Sequence, residues 1–500
     1  MREALPMPDE NGAARKLLSD FQRLQSGAAR IGGTGDGSLD LILAGLGHER
    51  SKWLRQIAVP HWFNETLLRS IVPSSSEASD FLSEVAAMPW IRTHPLGLVL
   101  HDEIRGRLRN SLLEFDRGLF RETCKQLCNA LPEVPDGHAT DIAKSPRDDE
   151  VRNERIYLML AFDEKNGFER LHAQISGARA TRLINVTDGL VHIAEEQWPL
   201  LSAGGRSQVE LYRGLLLLDL KAWDQAIDVF SKLDLDRLEV GFRVQALLSH
   251  GMALEGCGRW ADAKEFYLGL AKRASLPSSE QDLASWAKIH QRLAEVFFAL
   301  RDLKHAERHC KRSLQLNRKA DDQRGEAINL RLLGAIFEKL HDTANADESL
   351  MRSLTLFRTW GNEEDKARVY SALGSVSLNA AQWQQARDAY EEEQQIRVAS
   401  MDNYGLAFVY ANLGKLVMAE SANVDEALRY FAASIELLRQ FRDPLNLARV
   451  LRNRSLVLES DRRYPEALDA LSEAYTLLPE GSSLKVAYGK EVRRLDRRQE

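Results

Sequence analysis

Few side chains in this chain stand at spacings that support chemistry, and the clearest are two histidines. His305 and His309 lie one helical turn apart, with Cys310 next in line. Such a pair can chelate zinc from one helix face, but a site needs three or four ligands. No third ligand follows at a fixed spacing, so the pair reads as surface and no metal is expected. Cys124 and Cys128 are also one turn apart, which suits two buried thiols better than a bridge. With Cys257 and Cys310 they make four cysteines in all, too few and too scattered for a disulfide framework. The cluster GGTGDG at 32–37 tempts a phosphate-loop reading. It fails that reading, because no Lys followed by Ser or Thr comes after it and no apolar strand precedes it. No nucleophile–base pair is apparent. The chain is therefore read as non-enzymatic, without catalytic residues or cofactor.

What must position any functional residue is a repeating element. Gly214, Gly251, Ala294, Gly334, Gly374, Gly414 and Ser455 recur at spacings of 37, 43, 40, 40, 40 and 41 residues. Twelve residues later stands Ala226, Ala263, Ala306, Ala346, Ala386 or Ala467, and in the sixth unit the alanine slips by one to Ala427. Four further on come Phe230, Tyr267, Cys310, Leu350, Tyr390, Phe431 and Leu471. Two small residues followed by a bulky one predict a helical hairpin whose helices touch at the small positions. Internal periodicity of this kind fixes an architecture of stacked units.

This pattern resembles the tetratricopeptide repeat across 206–480, about seven units. It departs from the family in lacking the usual proline after most second helices. Its period is also about six residues longer than the usual 34, for which longer helices or turns are the expected cause. Trp223, Trp260, Trp383 and Tyr464 share one position at the hairpin turn and are expected to pack between hairpins. The resemblance implies an all-α fold, a right-handed α-α superhelix with a concave surface. It also implies that residues near each small position on the first helix line that surface. Those positions hold Lys288, Gln291, Arg292, Ile328, Arg331, Arg368, Ser371, Phe408, Ala411, Asn412, Lys415, Arg449, Arg452 and Asn453. Of these, Lys288, Gln291, Arg331, Arg368, Asn412, Lys415, Arg449, Arg452 and Asn453 form the expected peptide-binding wall. In the first two units Leu211, Tyr212 and Leu248 are expected to face inward instead. Arginine grips carboxylates with two donors and asparagine holds a peptide backbone, so the expected partner is an acidic or extended protein segment. The alternative is that the arginines pair with Glu295, Glu338 or Glu459 on the same wall.

Before the repeats the texture changes. Residues 1–38 are polar and small and read as a flexible arm. Residues 39–116 read as a compact winged helix. LDLILAGL, SKWLRQIAV and HWFNETLLRSIV carry helical patterns, and ASDFLSEVAAM resumes them. WIRTH, a turn at Pro95-Leu96-Gly97 and LVLHDEIRGRLR then read as strand, turn, strand and closing helix. Residues 117–205 read as a helical linker, with SPRDDE at 145–150 as a loop and Gly204-Gly205 as the break before the repeats. The stretch LRQIAVPHWFNETLL, the box VLHDEIR and the segment DEVRNERIYLMLAFDEKNGFERL resemble STAND-type signal-transduction ATPases downstream of their ATPase module. That resemblance implies His101 and Asp102 as a vestigial nucleotide-sensor pair, and a separate ATPase subunit as a partner. Without a phosphate loop the pair reads more simply as a cap on the closing helix.

Charge excludes some partners. The net charge is −6 at a pI near 6.1, so nothing draws the whole chain toward nucleic acid or membrane. The arginines of 39–116 are matched by carboxylates, and HWFNETLLRSIV carries a single arginine, whereas a DNA reader needs a basic surface. No apolar run reaches the eighteen or so residues that span a bilayer. MREALPMPDENGAARK has no apolar core for secretion, so the cytoplasm is the expected address. The tail at 481–500 is basic and expected to cap the array. The reading is a protein–protein interaction scaffold or sensor, part of a STAND-like signalling or defence system. The competing reading is a transcriptional regulator with a DNA-binding winged helix and a ligand-sensing repeat domain.

Overall fold

The computed structural model describes residues 36–134, 146–273, 280–361, 363–441, 443–479 and 483–499. The expected arm lies outside them, except that α1 (Asp36–Ile57) already begins at Asp36. The fold class is all-α, as expected, with one pair of short strands. The chain divides into two compact units, Met1–Gly256 and Cys257–Glu500.

In the first unit α1 is kinked at Gly47, whose positive φ of 74° divides it as the two sequence patterns do. Then come α2 (Glu65–Arg69), α3 (Ser75–Ala86), β1 (Ile91–His94), β2 (Gly97–Leu100) and α4 (Asp102–Phe115). The strand, turn, strand and closing helix stand where expected. HWF does not join a helix: Phe63 pairs antiparallel with Leu98, through N–H···O distances of 2.9 and 2.7 Å. Asn64 caps what remains, a five-residue helix. Gly97 is required by this pairing, since a Cβ there would fall 2.2 Å from the Phe63 carbonyl oxygen. Trp53, Phe63, Phe81, Phe120 and Tyr157 anchor one apolar core.

The linker is helical: α5 (Arg117–Ala130), α6 (Pro146–Phe162), α7 (Glu164–Ala180) and α8 (Ile184–Glu196). SPRDDE is not a loop from 146 onward. Pro146 opens α6, where its missing N–H and fixed φ suit a first turn, and Asp148 and Asp149 complement the helix dipole. Gly204-Gly205 lies in the first turn of α9 (Ala203–Asp219), which pairs with α10 (Trp223–Lys232) before α11 (Val240–Gly256).

The second unit runs α12 (Trp260–Arg273), α13 (Glu280–Ala299), α14 (Leu303–Lys319), α15 (Gln323–Lys339), α16 (Thr343–Trp360), α17 (Glu363–Asn379) and α18 (Trp383–Ala399). It continues through α19 (Asn403–Ser421), α20 (Val424–Gln440), α21 (Pro444–Ser460), α22 (Tyr464–Leu477) and α23 (Ser483–Gln499). Each helix packs on the next, and first helices also touch the first helix of the following hairpin. Longer helices account for the long period. The 17-residue α17 and α18 start 20 residues apart, and α19 starts 20 after α18, giving 40 per hairpin.

Helix contact occurs at the small residues. A Cβ on Gly214, Gly334 or Gly374 would meet Phe230, Leu350 or Tyr390 at 2.6, 2.5 or 2.4 Å, the bulky residue sixteen later in each case. The alanines of the pattern are fully buried. In the seventh unit Ser455 replaces glycine, and its Oγ donates to the Ala467 carbonyl at 2.7 Å. Seven residues after each small residue the turn takes a left-handed conformation, at Lys221, Gly258, Arg301, His341, Ala381 and Arg462. In the sixth unit α19 is 19 residues long and the left-handed residue is Ala422, eight after Gly414. That extra residue explains the slipped alanine. Trp223 packs against Gly256 of the next hairpin, as the shared turn position predicts.

Candidate functional site

The expected wall residues fall into three groups by what they touch. At one end Gln291 Nε2 and Arg292 Nη1 both donate to Glu295, at 3.0 and 2.6 Å, while Lys288 is exposed. At the other end Arg452 holds Glu491 with Nε and Nη2 at 3.0 and 2.8 Å and lies 5.7 Å over the Tyr488 ring. Glu491 and Tyr488 belong to α23, so Arg452 fastens the last helix to the array. Arg494 and Arg498 of the same helix bind Glu459, so the basic tail is a cap held by ion pairs. Asn412 accepts from Lys415 at 3.1 Å, Arg449 donates to Asn446 at 3.2 Å, and Asn453 is half-buried beside Arg452. Leu211 and Tyr212 do not face a groove. They are buried in the core of the first unit.

The middle group converges. Arg331 on α15, Arg368, Ser371 and Ser375 on α17, Glu393 and Arg397 on α18, and Phe408 on α19 line one pocket of about 350 Å³ with Glu338. Arg368 is paired with Glu364 at 2.5 Å. Arg331 makes no side-chain hydrogen bond or ion pair among the described residues. Burial, and then the charge of Arg368, bring its pKa below the ordinary arginine value. Glu393 is 2% exposed and leaves Oε2 without a partner, while Oε1 lies 3.5 Å from Arg397. Burial raises its carboxyl to about 7, with Ser371 and Arg397 only partly offsetting that. The sequence reading found Arg331, Arg368, Ser371 and Phe408. It missed Glu393 and Arg397, which sit on a second helix.

In the first unit His101 and Asp102 are exposed at the start of α4, and His101 makes no side-chain capping bond. The connected residue of the box is Arg105. Its guanidinium donates to Val59 O, Pro60 O, Tyr157 Oη and Glu196 Oε2 at 3.0–3.4 Å. His61 bridges Glu154 and Glu196 at 2.9 and 3.2 Å. Burial disfavours its charge, but the two carboxylates outweigh this and raise it to about 9. Burial would raise Glu196, yet hydrogen bonds from His61 and the charge of Arg105 hold it far below the usual carboxylate range. Every charge here has a partner, so the cluster ties α4, α6 and α8 together. Asp102 lies at the rim of the adjoining cleft of about 750 Å³.

His305 and His309 part company. His305 bonds Asp302 at 2.9 Å, His309 meets His290 through their Nδ1 atoms at 2.9 Å, and both rings stack on Phe297. Burial, and then the charge of His309, bring His290 down to about 4. Among the described residues no three His, Cys, Asp or Glu side chains gather as a metal site.

Residues 282–359, spanning the third and fourth units, match the tetratricopeptide repeat family. This segment carries tetratricopeptide repeats. No curated protein matches the sequence. Among solved structures, the chain is similar to a STAND protein with a tetratricopeptide repeat sensor from Pyrococcus horikoshii. The two are 12% identical with a TM-score of 0.53, over 89% of this chain and 61% of that one. This chain thus spans about three fifths of that protein's length, and at this identity the likeness is one of fold. Weaker likenesses are to a Rap protein complexed with competence and sporulation factor (12% identity, 55% and 76% covered, TM-score 0.43) and to aspartyl phosphate phosphatase F from Bacillus subtilis (12%, 75% and 93%, 0.46). The tetratricopeptide repeats support a protein-interaction scaffold. No helix of the described residues is long and apolar enough to cross a membrane.

Proposed function

We propose that this scaffold is non-enzymatic and holds an extended, acidic protein segment against the first-helix wall of its middle repeats. The observation that carries the reading is Arg331: a half-buried guanidinium without a side-chain hydrogen bond or ion pair among the described residues, beside Arg368 in an open polar pocket. Each charge-assisted hydrogen bond from such a group contributes about 1.5–3 kcal/mol. A few of them, with backbone contacts from Asn412 and Asn453, support micromolar recognition once ordering costs are met. Lys288, Gln291, Lys415 and Arg449 extend the wall to either side.

The finer reading makes the scaffold the sensor part of a STAND-like system. Residues 39–116 would be its winged helix, and the ATPase module would lie elsewhere in a longer chain or on a separate subunit. The regulator alternative finds less support, because Arg50, Arg69 and Arg105 are each paired with a glutamate. The test is capture of partners from native lysate by wild type and by Arg331→Glu/Arg368→Glu, with folding checked by circular dichroism. A partner lost only from the folded variant supports the wall. Retention of every partner would refute it.

A further inference from the structure

Glu393 departs from the repeat's own rule. Counting along the second helices gives Ser313, Ser353, Glu393 and, after the one-residue slip, Ser434, with Ala474 next. The three serines are buried, and their Oγ atoms donate to the carbonyls of Ala287, Ala327 and Ala407 at 2.6, 2.7 and 2.7 Å. Ala367 holds the matching place in the fifth hairpin and is also fully buried. The third, fourth, sixth and seventh units therefore show that the fold is satisfied here by a small residue. In the fifth, a carboxyl group stands in the wall of the Arg331 pocket with Oε2 unpartnered. A buried polar oxygen without a partner costs stability.

The charges around it leave a single vacancy. Arg368 is paired with Glu364, Arg397 with Asp402, and Glu338 takes the Asn379 amide and adjoins Lys339. Glu295 and Asp365 act on Arg331 through space but bond Arg292 and Arg324, so among the pocket's lining charges Arg331 is the one without an ion pair. We infer that this pocket is an anchor site for one carboxylate group of a partner, received by Arg331 and by the Glu393 carboxyl acting as hydrogen-bond donor. A monoanion balances the remaining charge. A phosphate dianion exceeds it, and a cation is repelled by Arg331, Arg368 and Arg397. Ser371, which bonds Glu393, and Ser375 line the same wall. The raised affinity of Glu393 for its proton keeps the donor form populated near neutral pH. This inference rests on the groove reading above and names its anchor.

The test uses the full chain and follows protection of Arg331 from phenylglyoxal by peptide mass spectrometry. The probes are N-acetylalanine, carrying a chain-end carboxylate; N-acetylglutamate α-amide, carrying a side-chain carboxylate; N-acetylalanine amide; and inorganic phosphate. At least one carboxylate is expected to protect at millimolar concentration, and which one does so identifies the source. Glu393→Gln, a permanent donor, keeps that protection. Glu393→Ser, the repeat's own residue, weakens it about tenfold, the loss of one charge-assisted bond. Equal protection by phosphate or by the neutral amide would overturn the inference, as would unchanged protection in Glu393→Ser. If the carboxylates protect but Arg331→Glu/Arg368→Glu still captures every partner, the groove reading fails alone. If capture is lost but no carboxylate protects, the anchor fails alone.

Discussion

Replacing Glu393 with serine restores the residue used by the third, fourth and sixth hairpins, and the energetic consequence can be worked out. Burial moves the carboxyl from its ordinary 4.5 to about 7, so the folded state holds this proton more tightly than the unfolded chain does. A raised carboxyl contributes its full stability below pH 4.5 and loses it as pH rises through 7, a change of about 3 kcal/mol. Two smaller terms nearly cancel in Glu393→Ser. Removing a buried methylene costs about 1 kcal/mol, and a serine hydrogen bond to the Ala367 carbonyl returns about 1 kcal/mol. The variant should therefore match wild type near pH 4.5 and exceed it by about 3 kcal/mol at pH 8. Because each hairpin contacts mainly its neighbours, the readout must be local. Amide hydrogen exchange across 363–399 at both pH values provides it, with urea denaturation of the whole chain alongside. Groups that titrate elsewhere cancel in the difference between the two proteins. A wild-type-to-variant gap that does not change with pH, or a variant less stable at pH 8, would refute the reasoning.

The small-residue contacts yield a paired prediction. Gly374→Ala places a Cβ 2.4 Å from the Tyr390 ring; overpacking of about 1–3 kcal/mol exceeds the helix-propensity gain of about 1 kcal/mol, so urea denaturation should show a net loss. Gly269→Ala, with nothing within 4 Å of the new Cβ, should gain about 0.5–1 kcal/mol in the same assay; the reverse order would remove the contact argument. His61 is raised to about 9, so its contribution is complete below pH 6.5 and disappears between 6.5 and 9. With a third of the side chain exposed, screening leaves about 1–2 kcal/mol, read as the gap between wild type and His61→Gln across that range. Arg452→Ala should speed hydrogen exchange in 483–499 while leaving partner capture unchanged, and loss of the partner instead would return Arg452 to the binding wall.

The small and bulky beat was enough to determine the hairpins, because helix contact at a fixed register demands a small residue facing a large one. Gly374 against Tyr390 and Ser455 against Ala467 both sit where that spacing put them. Turn signals were legible too, since Pro95-Leu96-Gly97 closes a strand pair. Local pattern failed where a distant partner decided. HWF reads as helix but is drawn into pairing with β2, and Arg452 reads as open wall until α23 brings Glu491 to it. Glu393 was visible as a break in the Ser313, Ser353 and Ser434 series. Its meaning was not, because periodicity records which positions face inward but not which charges are already compensated. Those depend on ion pairs such as Arg368–Glu364 and Arg397–Asp402, whose rotamers only the packed helices select. Tertiary structure therefore decided which arginines of the expected wall are held in ion pairs.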